Sequence, residues 1–357
     1  MQPRERLLRA LRGEPVDRCP WSPFLAYWWE AQPESVRAQG QLAFLEAVGA
    51  DPLLRGFGAT WAIEYVGVDR RVSVRGGHRQ EALETPVGSL ALGYRYSQSG
   101  DTWFLCDHPV REIEDLKVLS WIYEHAVLRY DSAADEERRR IGERALILPL
   151  IGADMKTCFQ SMVEKWAGTE SLTYLLADDP EEVEACLAVM RAVSDRTAEM
   201  AAQSECEAFI FWEDSSTTNV SPGMFQKYTA AEVTCWGNVL HAAGKLLVHH
   251  ACGHLRALLP LMAGLPIDAV ESISPPPTGN IDVAEAFRLL PGHIGLIGGI
   301  EPVFFQNCSG EELDARVDQL LAISASRRYV LANSDSCPPG VDPSKFSRVS
   351  ARVRRGA

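Results

Sequence analysis

Lys245–His254, KLLVHHACGH, is the stretch on which the reading of the whole chain turns. Lys245 to Val248 reads as a short buried strand, apolar and bounded by Gly244 and Gly253. Side chains alternate along a strand, so His250 and Cys252 share one face while His249 takes the other. An imidazole and a thiol at a strand's carboxyl end make half of a soft metal site. Cys337, in LANSDSCPPG after another strand-like run, is the best-placed third donor. Zinc suits such a set, because Cys/His sites with one open position are its catalytic form. Two other readings fit the stretch alone. Cysteine is among the most buried residue types and often serves as a small hydrophobe, and His250 and His254 could instead lie one helical turn apart.

Around this stretch the chain alternates. Strands are expected at Cys19–Trp29, Asp51–Phe57, Ala145–Ala153, Ala208–Ser215, Leu246–His250, Ile267–Ser274, His293–Pro302 and Arg328–Ser334, with helices between most of them. Eight strands alternating with helices specify an α/β fold of the (β/α)8 TIM-barrel type. An N-terminal helix, with Leu7, Leu8, Ala10 and Leu11 on one stripe, precedes the first strand. Helices are also expected over 33–48, and over a polar stretch from Asp115 to about Arg144. Residues 61–108 read as a β-hairpin excursion within a single domain spanning 1–357. A doubly wound sheet is the alternative, disfavoured because no glycine-rich phosphate loop follows the first strand.

Composition narrows the partners. A net charge of −13 over 357 residues argues against nucleic acid and anionic membranes as main partners. The one basic cluster, Arg348 to Arg355, reads as a solvated helix end. No apolar run reaches spanning length, and MQPRERLLRALRGEP reads as a charged amphipathic helix, so a cytoplasmic location is expected. Nine scattered cysteines argue for a reducing compartment; Cys19, Cys106, Cys158, Cys186, Cys206, Cys235 and Cys308 read as structural.

A barrel places its active site at the carboxyl ends of its strands. Glu213 and Asp214 end the fourth expected strand, His250 and Cys252 the fifth, Glu271 the sixth and Glu301 the seventh. Asn333, Asp335 and Cys337 follow the eighth. That convergence favours the His250–Cys252–Cys337 metal set over scattered caps and loop residues.

The chain resembles the uroporphyrinogen decarboxylase superfamily, and within it the cobalamin-dependent zinc methyltransferase branch. RERLLRALRGEPVDRCP at the start, TPVGSL and HPVREIEDL in the excursion, HHACG, GGIEP and CPPGVDPSKF carry the resemblance in order, essentially end to end. It implies zinc on His250, Cys252 and Cys337, with Glu271 as a carboxylate fourth ligand. Decarboxylation of uroporphyrinogen is a poor match. The arginine-rich RQAGR element is replaced by SPFLAYWWEAQ, and a many-carboxylate tetrapyrrole needs such cationic pairing.

The resemblance implies a zinc Lewis acid that exchanges a methyl group with the cobalt of a corrinoid. The chain has no Asp-x-His-x-x-Gly anchoring motif, so the cobalamin would ride on a separate corrinoid protein. Tyr27, Trp28, Trp29, Phe211 and Trp212 would suit an aromatic methyl ether, with Asn333 also placed on the substrate side. Asp214 or Glu213 would protonate the leaving phenolate. Methyl transfer from the corrinoid protein to a thiol such as coenzyme M, and a barrel that only binds a ligand, remain open. Residues 61–108 could form a homodimer surface or dock the corrinoid protein.

Overall fold

The computed structural model describes residues 1–98 and 102–356. Thirteen strands are formed among them. β1 (Leu53–Ala59) is followed by β2 (Trp61–Tyr65), β3 (Asp69–Arg75), β4 (His78–Thr85), β5 (Gly88–Ser97), β6 (Thr102–Asp107) and β7 (Ala126–Tyr130). Then come β8 (Leu146–Leu150), β9 (Ala208–Glu213), β10 (Leu246–Ala251), β11 (Ala269–Ile273), β12 (Gly295–Ile300) and β13 (Tyr329–Asn333).

Seven of these form one parallel sheet in the order β1-β8-β9-β10-β11-β12-β13. The order never reverses, so there is no switch point, and the doubly wound alternative falls away. The expected first strand is reduced to a single parallel bridge, Trp21 to Leu331. Pro20 and Pro23 flank it, and a proline cannot donate to a ladder. Short as it is, this segment touches both sheet edges. Leu331 donates to the Pro20 carbonyl at 2.9 Å and Ser22 to the Leu331 carbonyl at 2.9 Å, while Asp51 donates to the Trp21 carbonyl at 2.7 Å.

Side-chain parity divides the core in two. Leu53, Leu146, Leu148, Ala208, Ile210, Leu246, Val248, Ala269, Ile297 and Val330 pack together with Leu7, Leu8 and Leu11 of the helix Pro3–Arg12. The alternate set, including Phe209, Phe211, Leu247 and Val270, packs with the surrounding helices. His250 has the parity of Leu246 and Val248; His249 has that of Leu247. The sequence reading of that strand holds.

The excursion is richer than a hairpin. β3 to β6 form a four-stranded antiparallel meander, while β2 pairs with β7 in a separate ribbon. Residues 99–101 of the expected excursion lie outside the described residues. β7 also splits the expected helix 115–144 into Ile113–Glu124 and Ala133–Ile141. The expected helix 33–48 is interrupted as well, because Gly40 adopts φ 83 between Glu34–Arg37 and Gln41–Ala47. No helix among the described residues is long and apolar enough to cross a membrane.

Candidate functional site

The carboxyl ends of the parallel strands open into a cavity of about 520 Å³ whose wall includes His250, Cys252, Asp214, Asp335, Trp212 and Arg55. Register explains the convergence. His250 stands opposite Trp212 on β9 and opposite Glu271 on β11, so three adjacent strands present one rung.

His250 has partners at both ring nitrogens, with Ser272 Oγ 3.2 Å from Nδ1 and 3.4 Å from Nε2. Its Nδ1 lies 2.8 Å from Glu271 Oε2, and its Nε2 faces Asp335 Oδ1 at 3.8 Å. Burial disfavours the charged ring, but Glu271 and then Asp335 outweigh it and raise its pKa above the usual histidine value. Glu271 also pairs through Oε1 with Arg55 Nε, both side chains being 1% exposed. Each oxygen of Glu271 thus has a partner, and its contact with Nδ1 orients the imidazole. Its two oxygens face His250 and Arg55 rather than the Cys252 thiol.

Cys252 lines the cavity, its Sγ 3.7 Å from the Glu213 carbonyl. Burial, followed by the charges of Asp335, Asp214 and Glu164, pushes its thiol far above the ordinary range. Cys337 is fully buried and is not part of the cavity wall. Its backbone is fixed at both ends, its N–H to Phe24 at 3.0 Å and its carbonyl accepting from Trp28 at 2.8 Å. Among the described residues, no three His, Cys, Asp or Glu side chains are grouped as a metal site. The structure thus brings His250 and Cys252 to one cavity, with Cys337 buried two residues beyond Asp335 of its wall.

Glu213 and Asp214 play different parts. Glu213 Oε1 accepts from the Thr157 N–H at 3.0 Å and its hydroxyl at 2.6 Å. Oε2 accepts from Ser215 at 3.0 Å and lies 3.1 Å from His249 Nε2. Burial would raise its pKa, but His249 and Thr157 outweigh that and hold it below the usual carboxylate range. Both of its oxygens are held by these partners. Asp214 is the reverse case: burial, then Glu164 and Asp335, raise its pKa.

The aromatic residues sort by helix geometry. In the helix Ala26–Glu30, Trp28 and Trp29 turn into the core, where Trp28 packs on Phe44 and Phe346 and donates to the Val341 carbonyl at 2.9 Å. Only Tyr27 of that trio reaches the cavity. Trp212 is a wall residue as expected, whereas Phe211 lies behind it, stacked on His249 at 4.2 Å. Asn333 is buried and clasps the Phe24 backbone, accepting from its N–H at 2.8 Å and donating to its carbonyl at 2.9 Å. It thereby holds the Phe24 segment at the rim. Phe24 went unread although it sits 5.7 Å edge-on to His250. Arg55 and the Lys156–Glu164 pair were missed too. A lone arginine inside DPLLRGF was the available signal, since a charge in a buried strand needs a partner.

Gly56 makes room for the Trp212 wall. It adopts φ +64, and a Cβ there would stand 2.4 Å from the indole ring. Gly56→Ala is expected to cost about 1–2 kcal/mol from the left-handed backbone, and to displace Trp212. Urea midpoints and the near-ultraviolet dichroism of the indole check both.

Residues 91–356 match the family model described as uroporphyrinogen decarboxylase (URO-D). Among solved structures, a methyltransferase from Methanosarcina mazei superposes with a TM-score of 0.65 at 15% identity, covering 100% of this chain and 99% of that one. A B12-independent methionine synthase from Shewanella sp. W3-18-1, in complex with selenomethionine, superposes with a TM-score of 0.50 at 11% identity, covering 95% and 98%. At such identities the likeness is one of fold. Among curated proteins, embryonic polyadenylate-binding protein 2 of Mus musculus is 28% identical over 125 residues. That match covers 34% of this chain, which spans only 44% of that relative's length.

Proposed function

The chain belongs to the uroporphyrinogen decarboxylase family, and from that premise we propose that it is a zinc-dependent methyltransferase of that fold. The seven strands and the Trp21 segment are read as its closed barrel. The reaction proposed is transfer of a methyl group from a small methylated substrate, an aromatic methyl ether, to the cobalt of a separate corrinoid protein.

One observation carries the reading: Glu271 holds His250 through Nδ1, and His250 and Cys252 line the same cavity. Carboxylate–imidazole pairs of this kind set the tautomer of metal-ligating histidines. A buried thiol among three carboxylates also calls for a cation before it can ionise. The donor chemistry therefore fits zinc on His250 and Cys252, with Cys337, two residues beyond Asp335, as the third donor the family pattern supplies. Bound there, zinc would polarise the oxygen that leaves with the departing aryl group.

The chain's own residues do the rest. Phe24, Tyr27 and Trp212 offer aromatic walls to a flat substrate. Asp214, a wall carboxyl whose pKa is raised by burial and by Glu164 and Asp335, donates a proton to the leaving oxygen. Transfer in the other sense, to a thiol acceptor, would leave this acid without a task. Tetrapyrrole decarboxylation is disfavoured because the two cations in the wall, Arg55 and Lys156, are spent on Glu271 and Glu164.

Metal analysis tests the proposal. Wild-type protein purified with zinc should hold about one equivalent, and His250→Ala, Cys252→Ala and Cys337→Ala should each lose it. Full zinc in Cys337→Ala would remove that residue from the set. Methyl-cobalt should form when a reduced corrinoid protein is mixed with a methoxylated phenol. Asp214→Asn should slow that step by about 100-fold while leaving zinc in place.

A further inference from the structure

The outer strand of the meander, β3, reads DRRVSVR from Asp69 to Arg75, and all seven of its residues are exposed. Register with β4 and β5 puts Val72 and Val74 on the sheet face that carries Leu83, Leu90 and Leu92. Those three leucines are buried, whereas Val72 and Val74 are 51% and 58% exposed. On that face Val72 and Val74 stand beside Glu81 and Arg79 of β4, and β3 is an edge that pairs with no other strand among the described residues.

The hairpin turn fixes which backbone groups face that edge. β3 and β4 are joined by Gly76 and Gly77 at φ 54 and 77, the signature of a two-residue type I′ turn. Such a turn makes Arg75 and His78 a hydrogen-bonded pair, so alternate residues Asp69, Arg71, Ser73 and Arg75 spend their N–H and C=O groups on β4. Those of Arg70, Val72 and Val74 point outward.

The strand is also complementary to itself. Laid antiparallel on a second copy with a two-fold axis at Val72, it sets Val72 against Val72 and Arg70 against Val74. Arg71 then meets Ser73, and Asp69 meets Arg75 at both ends. The residues with outward backbone groups are the ones that fall into hydrogen-bonded pairs, and no like charges stand directly opposite. Within one chain Asp69 pairs only with the exposed Arg71, at 2.7 Å, and Arg75 has no carboxylate partner among the described residues.

We propose that β3 is a homodimer interface, two copies joining edge to edge about Val72 so that two four-stranded meanders become one continuous sheet. An isologous contact of this kind needs one self-complementary patch, which DRRVSVR supplies.

Sedimentation velocity of the full chain over a dilution series tests this. Wild type should show a reversible monomer–dimer equilibrium. Arg75→Asp sets aspartates opposite each other at both ends and should weaken dimerisation about tenfold. The exchange Asp69→Arg with Arg75→Asp rebuilds both pairs in the opposite sense and should restore it, which a merely misfolded meander would not do. Thermal melts confirm that the variants are folded. A monomer at every concentration, a dimer indifferent to Arg75→Asp, or an exchange variant that fails to recover would each overturn the proposal.

Discussion

Replacing Arg55 with methionine is expected to cost the fold about 3–5 kcal/mol at neutral pH, the range seen when one partner of a buried ion pair is removed. Arg55 and Glu271 are each 1% exposed, so water cannot solvate whichever charge is left behind. Arg55 also ties down backbone: its Nη1 donates to the Leu53 carbonyl at 3.2 Å and its Nη2 to the Ser22 carbonyl at 3.1 Å. Methionine fills similar volume without either bond. Glu271 would then be a buried carboxylate resting on His250 alone.

The pH dependence has a definite sign. Burial pushes the Glu271 pKa up, but Arg55 and His250 outweigh it and hold the carboxyl below its ordinary value. A depressed folded-state pKa stabilises above the unfolded-state value, and the gain is lost as pH falls through the folded-state value. Without Arg55 only burial and His250 remain, and Glu271 can take up a proton in mild acid. The deficit of Arg55→Met should accordingly shrink as pH falls from neutrality toward 5. Adding Glu271→Gln should recover much of it at neutral pH, because the stranded charge is gone. Urea unfolding of the three proteins checks the series, and a single-variant cost below about 1 kcal/mol at pH 7 would remove the pair from the account of the site.

That pair also marks the limit of what the sequence could disclose. Alternation in KLLVHHACGH is enough to assign His250 inward and His249 outward, because a parallel strand buried on both faces leaves parity as its positional code. Strand ends locate the rim for the same reason. Contacts set by loop paths are another matter. Cys337 follows β13 by a few residues, yet its backbone is pinned to Phe24 and Trp28 and its side chain is buried, which no strand parity foretells. The aromatic run Tyr27–Trp29 looks uniform in sequence, but a five-residue helix sends two rings to the core and one to the cavity. The meander's inventory of strands was hidden because a single hairpin and three successive ones share the same alternation, and β7 lay inside a run rich in helix formers.

Glu232 lies away from the cavity, and its substitution should reverse sign with pH. It is fully buried in the helix Ala230–Ala242, where its carboxyl accepts from the Cys158 N–H at 2.9 Å and from the Cys158 thiol at 3.2 Å. Burial raises its pKa from the ordinary value of 4.5 to about 7, against the lowering effect of those Cys158 bonds and of Ser194. A raised folded-state pKa contributes stability that is complete below the unfolded-state value and is lost as pH rises through the folded-state value. The window is therefore pH 4.5 to about 7, and the loss across it is roughly 3 kcal/mol. Glu232→Gln keeps a carbonyl to accept from the Cys158 N–H but has no proton to lose. Near pH 5 the variant should match wild type or fall slightly below it, since a neutral acid already sits there. At pH 8 it should be the more stable protein, by up to roughly 3 kcal/mol, because wild type then buries an uncompensated carboxylate. Urea midpoints of both proteins between pH 5 and 8 decide the matter: equal slopes would mean that Glu232 does not titrate in this range. The helix contact with Cys158 would then owe its stability to packing rather than to a shared proton.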